Sequence, residues 1–306
     1  MAAGTEVTPA TGTQQDAARP RKAPSRFWAK VRYQLLNVYA GLAFLYLLVP
    51  IAVVILFSFN DPPGRFNFTW HKFSTAAWQH PFATPGIENA VVLSLKIAFL
   101  STIIATILGT LMALALARYS FRGRSVTNFV IFLPMATPEI VMGSSLLTLF
   151  ISISFNRGFT TILIAHIMFN ISYVVVTVKA RIYGFDRRME EAAMDLYANE
   201  FTTFRKITLP LIMPGVLAAA MLAFALSIDD FVITQFNAGP DITFPLFIYG
   251  AARTGVPVQV NVIGSMIFLI AIGLMAVNIL YQNYRGKRDA IAIRGAVRKA
   301  QLAEAT

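Results

Sequence analysis

The chain has 306 residues, 56% of them hydrophobic and 13% charged, with a mean hydropathy of +0.61. Soluble globular domains carry roughly a quarter of their residues as charged side chains, so the composition excludes a soluble fold and points to an integral membrane protein. A formal charge of +11 would suit nucleic acid only if the basic residues clustered on one soluble face, and they do not. The absence of cysteine and the wide spacing of His71, His80 and His166 exclude disulfides, thiolate nucleophiles and the recognised metal motifs.

Residues 1–38 begin rich in Ala, Thr, Gln and Pro and then turn basic (Arg19, Arg21, Lys22, Arg26, Lys30, Arg32). They read as a partly disordered cytoplasmic tail that ends in an amphipathic basic stretch. No compact apolar core with a small-residue cleavage site precedes residue 39, so the first span acts as an uncleaved signal anchor. Six apolar segments follow, at about 39–59, 90–117, 126–152, 159–178, 211–236 and 261–284, each near the ~20 residues that cross a bilayer. They define a membrane domain over 39–284, followed by a second basic tail at 285–306. Pro134 and Pro138 interrupt the third segment, and Lys96, near the outer end of the second, can snorkel.

Basic residues orient the spans. Of the 26 lysines and arginines, 21 fall in the two tails and in the loops 118–125 and 179–208; Arg65, Lys72, Arg157 and Arg253 fall on the other side, and Lys96 lies within a span. The basic side is the cytoplasmic one, which predicts a multi-pass protein of the cytoplasmic membrane with both termini inside. The positive charge is therefore topology, and the partner it implies is a lipid bilayer rather than nucleic acid.

Between the fourth and fifth spans lies "EEAAMDLYANEFTTFRKITLP" (190–210), a charged, helix-prone stretch on the cytoplasmic side. Met189, Ala192, Ala193 and Leu196 follow the spacing of one helical face, which predicts a short helix over 187–198 with Asp186 at its start. A second short helix is expected from Thr202 or Thr203, with Phe201, Phe204 and Ile207 on its apolar side. Read by itself, this hairpin is a docking element or an amphipathic helix on lipid headgroups.

The spacing of Glu191-Ala192-Ala193, Tyr197, and Ile207, Leu209 and Pro210 resembles the signature loop of ABC importer permeases. The resemblance implies an all-α fold of six transmembrane helices, the type I importer permease fold, with a coupling loop at about 186–210 whose helix sits in a groove of a separate ATPase subunit. The coupling residues it implies are Glu190, Glu191, Ala192, Ala193, Asp195, Leu196, Tyr197 and Phe201. The family has glycine where this chain has Tyr197; glycine suits a turn with positive φ, and Asn199, two positions on, is expected to take over that conformation. The chain carries no G-x-x-x-x-G-K-[ST] loop, no G-x-S-x-G elbow and no His-Glu-x-x-His pair. It is thus expected to be a transporter subunit and not an enzyme, with no cofactor of its own, ATP and magnesium being bound by the partner ATPase.

"PEIVMGSSLLTLF", "LSIDDFVITQFNAGP" and "TFPLFIYGAARTGVPVQVN" are similar to the permease of spermidine/putrescine importers. That likeness implies a second homologous permease, an ATPase pair and an external polyamine-binding protein as partners. The residues agree with a cationic substrate. Glu139 lies about thirteen positions into the third span, near mid-membrane at about 1.5 Å per residue. Asp229 and Asp230 lie about two-thirds of the way outward through the fifth. An acid at the centre of a spanning helix costs about 2.5–3.5 kcal/mol on the insertion scale, so three such acids suit a cavity better than lipid. Tyr173, Phe231 and Tyr249 are the aromatic faces available for cation–π contact. The opposing readings are a capping role for Glu139 at the Pro138 break and an interfacial position for the two aspartates, while His166 and Asn170 suit either the path or interhelical hydrogen bonds. Two other functions compete: an ABC permease for ferric iron, thiamine or a phosphonate, and a secondary transporter with the acids as a proton relay. An anionic substrate would call for basic residues within the spans, where only Lys96 is found, and a secondary transporter leaves 190–210 unexplained.

Overall fold

The computed structural model describes residues 26–184 and 186–273, together with Ala276 and Leu280. Its elements are helices, apart from one isolated antiparallel pairing of Asn60 with Phe73. The chain divides into two units, 1–53 and 54–306. The first carries most of α1 (Arg26–Phe57), whose apolar part, Tyr33–Phe57, is 25 residues long. The helix starts at Arg26, so the basic stretch at the end of the expected tail is helical and continuous with the first span. Good helix formers run from Arg26 with no proline before Pro50, so nothing stops the apolar helix from extending back into the basic stretch. Residues 1–25 lie outside the described residues.

In the second unit, α1 ends in a built loop. The Asn60 amide donates to Asn67 Oδ1 and to the Thr69 carbonyl, both at 2.7 Å, while Asn67 donates to the Phe57 carbonyl at 2.8 Å. Phe59 stacks between Phe73 and Trp78, which closes the loop over the short helix α2 (Ala76–Gln79). α3 (Ile87–Arg118) then runs for 32 residues and packs against α6 (Phe159–Tyr183) and α9 (Leu209–Asp229), which also pack on each other. Apolar side chains gain little by leaving lipid for one another, so such packing depends on close approach of small residues. Gly109 of α3 provides it: a Cβ there would stand 2.6 Å from Val174 Cγ1 of α6. Gly215 of α9 does the same for Arg181, whose Cβ would be 2.6 Å away.

The third expected span, 126–152, is interrupted at Pro138 as anticipated, into α4 (Arg124–Ala136) and α5 (Glu139–Ser152), bent by 107°, while Pro134, also expected to break it, lies inside α4. Pro138 has no N–H to continue the ladder and forces Thr137 into an extended conformation, φ −84° and ψ 133°. The fifth ends at Asp229 rather than 236; Asp230 is extended and a separate helix, α10 (Val232–Asn237), follows. Four helices, with the bent pair as a fifth segment, are long and apolar enough to cross a membrane among the described residues. After α11 (Phe244–Thr254), α12 (Val258–Gly273) supplies the first part of the expected sixth span; apart from Ala276 and Leu280, residues 274–284 and the tail at 285–306 lie outside the described residues.

Candidate transport path and coupling loop

Glu139 is not in the interior of a continuous span. It is the first residue of α5, exposed at the bend, where the positive end of the helix dipole favours an anion. It lies within electrostatic reach of Tyr173 on α6, whose ring meets Phe169 edge-on with centroids 4.9 Å apart. Phe231 and Tyr249 form a second aromatic pair, centroids 4.7 Å apart, just beyond the end of α9. One face of Tyr249 is already covered by Arg253, whose guanidinium sits 4.5 Å from the ring centre and bonds the phenol oxygen. The six proposed path residues are therefore split into an α5–α6 group and a group around the α9–α10 break. Between the two groups α5 packs on α10: Gly143 lets Phe236 approach so closely that a Cβ would stand 2.8 Å from its ring.

The two aspartates sit at the end of α9, not two-thirds along a longer helix, and their surroundings differ. Asp229 is exposed. The Asp230 side chain is 7% exposed, accepts from Ile233 N (3.3 Å), Thr234 N (2.8 Å) and Thr234 Oγ1 (2.7 Å), and lies 3.3 Å from His166 Nε2. It thus caps the first turn of α10 and ties it to α6. His166, 3% exposed, also bonds Thr234 Oγ1 at 3.0 Å through Nε2 and Ser227 Oγ at 2.7 Å through Nδ1; Ser227 in turn meets Ser101 Oγ of α3 at 3.0 Å. Because the Thr234 hydroxyl donates to Asp230, it accepts from His166 Nε2–H, and in the neutral ring Nδ1 then accepts from Ser227. One chain of donors thus runs from Ser227 to Asp230 and crosses the break. His166 serves this interhelical network, whereas Asn170, fully buried, has no hydrogen-bond partner for either amide atom among the described residues. Ser101, Ser227 and Thr234 carried no signal in the sequence, since single hydroxyls in apolar runs are common.

On the cytoplasmic side of the expected topology, the hairpin forms with shifted bounds. The first helix is α7 (Arg188–Asp195), shorter than 187–198, with the Asp186 carboxylate accepting from Arg188 N at 3.0 Å. It ends because Tyr197 adopts φ +62°, with Tyr197 N bonding Met194 O (2.9 Å) and Ala198 N bonding Ala193 O (3.2 Å). That pair of bonds is the Schellman termination, which normally holds glycine at this position. The expectation that Asn199 would take the left-handed turn is corrected. Asn199 is extended, and its side chain accepts from Thr202 N at 2.8 Å, capping α8 (Glu200–Thr203), which therefore starts two to three residues earlier than expected. A π-helical turn over Phe204–Thr208 leads directly into α9.

Of the expected coupling residues, Leu196, Tyr197 and Phe201 are strongly exposed, at 82%, 100% and 69%. Glu191, Ala192 and Asp195 are exposed and Ala193 is half-buried. Glu190 alone of these is buried, and Glu191 makes a surface pair with Arg187 at 3.6 Å.

Comparison with known proteins gives a consistent picture. A family model described as "Binding-protein-dependent transport system inner membrane component" matches residues 105–286. The spermidine/putrescine transport system permease protein PotC of Haemophilus influenzae is 38% identical over 248 residues, 81% of this chain and 96% of that one. The putrescine transport system permease protein PotI of Escherichia coli K12 is 36% identical over 258 residues, 82% of this chain and 91% of the other. Among solved structures, a chain of a bacterial alginate ABC transporter in complex with a pentasaccharide-bound periplasmic protein superposes with a TM-score of 0.58 at 16% identity, covering 83% of this chain and 95% of that one, a likeness of fold.

Two outcomes follow for stability. Tyr197→Gly is expected to raise the stability of the hairpin by about 1 kcal/mol, because glycine has no Cβ to strain at positive φ; thermal denaturation of the purified protein in detergent measures it. Asp230→Ala is expected to lower stability by at least about 1–3 kcal/mol by stranding the donors on α10 and α6, while Asp229→Ala leaves the same melting curve unchanged.

Proposed function

Because the chain belongs to the family of binding-protein-dependent transport system inner membrane components, we propose that it is the permease through which an ATP-driven importer passes polyamines such as spermidine and putrescine. Membership makes it a membrane-embedded transport component rather than an enzyme, acting with an ATPase and a binding protein. The partners proposed in finer detail are a second homologous permease, an ATPase pair and an external polyamine-binding protein. The observation that carries the substrate is the set of acids at the helix breaks, combined with relatives that transport polyamines.

In this reading the two aspartates divide the work. Asp230 holds the break, and Asp229, exposed on the next position, meets the cation. The backbone turns from helical at Asp229 to extended at Asp230, and the Asp230 carboxylate is engaged by α10, so the two carboxylates do not compete for one role. Glu139 and Tyr173 offer a second carboxylate and ring along the path. A polycation is attracted to carboxylates spaced along its route and to aromatic faces; Phe231 contributes one, and Tyr249, partly covered by Arg253, contributes less. On the opposite side of the membrane, Glu191, Ala192, Ala193, Asp195, Leu196, Tyr197 and Phe201 form the surface that receives the ATPase. The small alanines permit close approach, and the exposed Leu196, Tyr197 and Phe201 supply apolar area to bury.

Both termini are proposed to be cytoplasmic, on the asymmetry of 21 basic residues against four. Because the chain lacks cysteine, single cysteines introduced at Ser25 or Ala303 are expected to resist a membrane-impermeant reagent added from outside, and one at Thr75 to react; the reverse pattern overturns the orientation.

The function is tested in vesicles containing the whole complex, normalised to assembled protein. Spermidine or putrescine uptake is expected to require ATP and the binding protein. Asp229→Asn should cut the transport rate at least about tenfold, the effect of about 1.4 kcal/mol, without weakening capture by the binding protein. Wild-type uptake in Asp229→Asn and Glu139→Gln alike would remove these acids from the path.

A further inference from the structure

We propose that Glu190 is the mechanical joint of the permease, a positioning residue that fastens the cytoplasmic hairpin to two membrane helices and transmits its displacement to them. The inference rests on the reading of this chain as an ATP-driven permease whose α7 docks on the ATPase.

The geometry is specific. A single oxygen, Glu190 Oε1, accepts from Arg118 Nη2 at 2.7 Å and from Thr208 Oγ1 at 2.6 Å. Arg118 is the last residue of the 32-residue α3, and Thr208 closes the π-helical turn immediately before α9. One carboxylate therefore ties α7 to the cytoplasmic ends of two of the three helices that pack together in the centre of the second unit. The side chains are largely withdrawn from water, 12% exposed for Glu190 and 17% for Arg118. A charge-assisted bond shielded in this way is stiffer than the open Arg187–Glu191 pair, whose side chains are 57% exposed or more.

Its position on α7 fits the role. Glu190 is the one buried residue of that helix. Ala192, two residues on and so about 200° around the helix axis, is exposed and belongs to the surface assigned to the ATPase. A push received on the Ala192 side is thus delivered on the Glu190 side. The signature glutamate of the loop, Glu191, points elsewhere and is attached to nothing in the membrane helices among the bonds described. Motion of α7 reaches α3 and α9 together, and both pack on α6, which carries His166 and with it the link to the α9–α10 break.

The test uses the complete transporter, reconstituted in proteoliposomes, with ATP hydrolysis, its stimulation by the binding protein, ATPase retention and polyamine uptake measured on the same samples. Glu190→Gln is expected to keep the ATPase bound and its basal hydrolysis intact. Stimulation by the binding protein and uptake per ATP should fall about tenfold or more, the effect of weakening one charge-assisted hydrogen bond. Thr208→Val should lose coupling in the same way to a smaller extent. Glu190→Arg combined with Arg118→Glu should recover part of the coupling that either change alone removes. Unchanged stimulation in Glu190→Gln overturns the proposal. So does loss of the ATPase in that variant, since Glu190 would then face the partner, and so does a reversed pair no better than its single variants. Absence of polyamine uptake by the wild-type complex counts instead against the substrate, and the joint is still judged in those samples from binding-protein stimulation of hydrolysis.

Discussion

A helix that stops inside a bilayer leaves backbone N–H and C=O groups without partners, and no water is at hand to take them. Among the described residues two such interruptions stand, at Thr137–Pro138 and at Asp230; side chains bond the backbone at both, and at the second they take up the freed amides. At the first, the Thr137 hydroxyl and N–H both return to the Leu133 carbonyl, at 2.8 and 3.0 Å. At the second, the Asp230 carboxylate takes up the first free amides of α10 and accepts from the Thr234 hydroxyl, which itself bonds His166. The rest of the arrangement depends on these interruptions. They let α5 and α10 lean together, and they bring irregular backbone and carboxylates to places where a solute is proposed to pass.

The same requirement accounts for which polar residues are buried. Ser101, Ser227, His166 and Thr234 lie on α3, α9, α6 and α10, so the network that closes one break also links the central three helices. Elsewhere these helices meet through small residues, as at Gly109 against Val174. Polar contacts fix the rotational setting of each helix, and the glycines fix how near it comes. Alone, neither specifies the packing, because side chains that are equally at home in lipid have no preferred partner.

Much of this was legible in the sequence, and the parts that were not share a cause. Apolar length located α3, α6 and the start of α9, and the motif located the hairpin, because both are properties of contiguous residues. Pro138 announced an interruption, but the 107° angle depends on what α5 packs against. The end of α9 was missed because "LSIDDFVITQFN" stays apolar enough to read as continuing helix; the break exists only because Asp230 finds its partners four residues ahead and across on α6. Tyr197 shows the converse. The motif pointed to a left-handed residue at its position, and the chemistry of tyrosine suggested moving that conformation to Asn199, but the Schellman bonds fix the site and the tyrosine is strained to fit. The Arg118–Glu190–Thr208 contact joins residues 72 apart in the chain, with no periodicity to reveal it.

The loop after α1 has a kinetic meaning. Asn60 and Asn67 fasten it with neutral hydrogen bonds, and Phe59 is held between two rings. On the proposed topology this loop faces the solution from which the binding protein arrives. A surface already ordered gives up little conformational freedom when a partner settles on it. With amides rather than ions at its centre, its shape also persists when ionic strength changes the Debye length. A partner that docked there would wait on diffusion and orientation rather than on loop folding, and the loop keeps one shape in dilute and in saline surroundings.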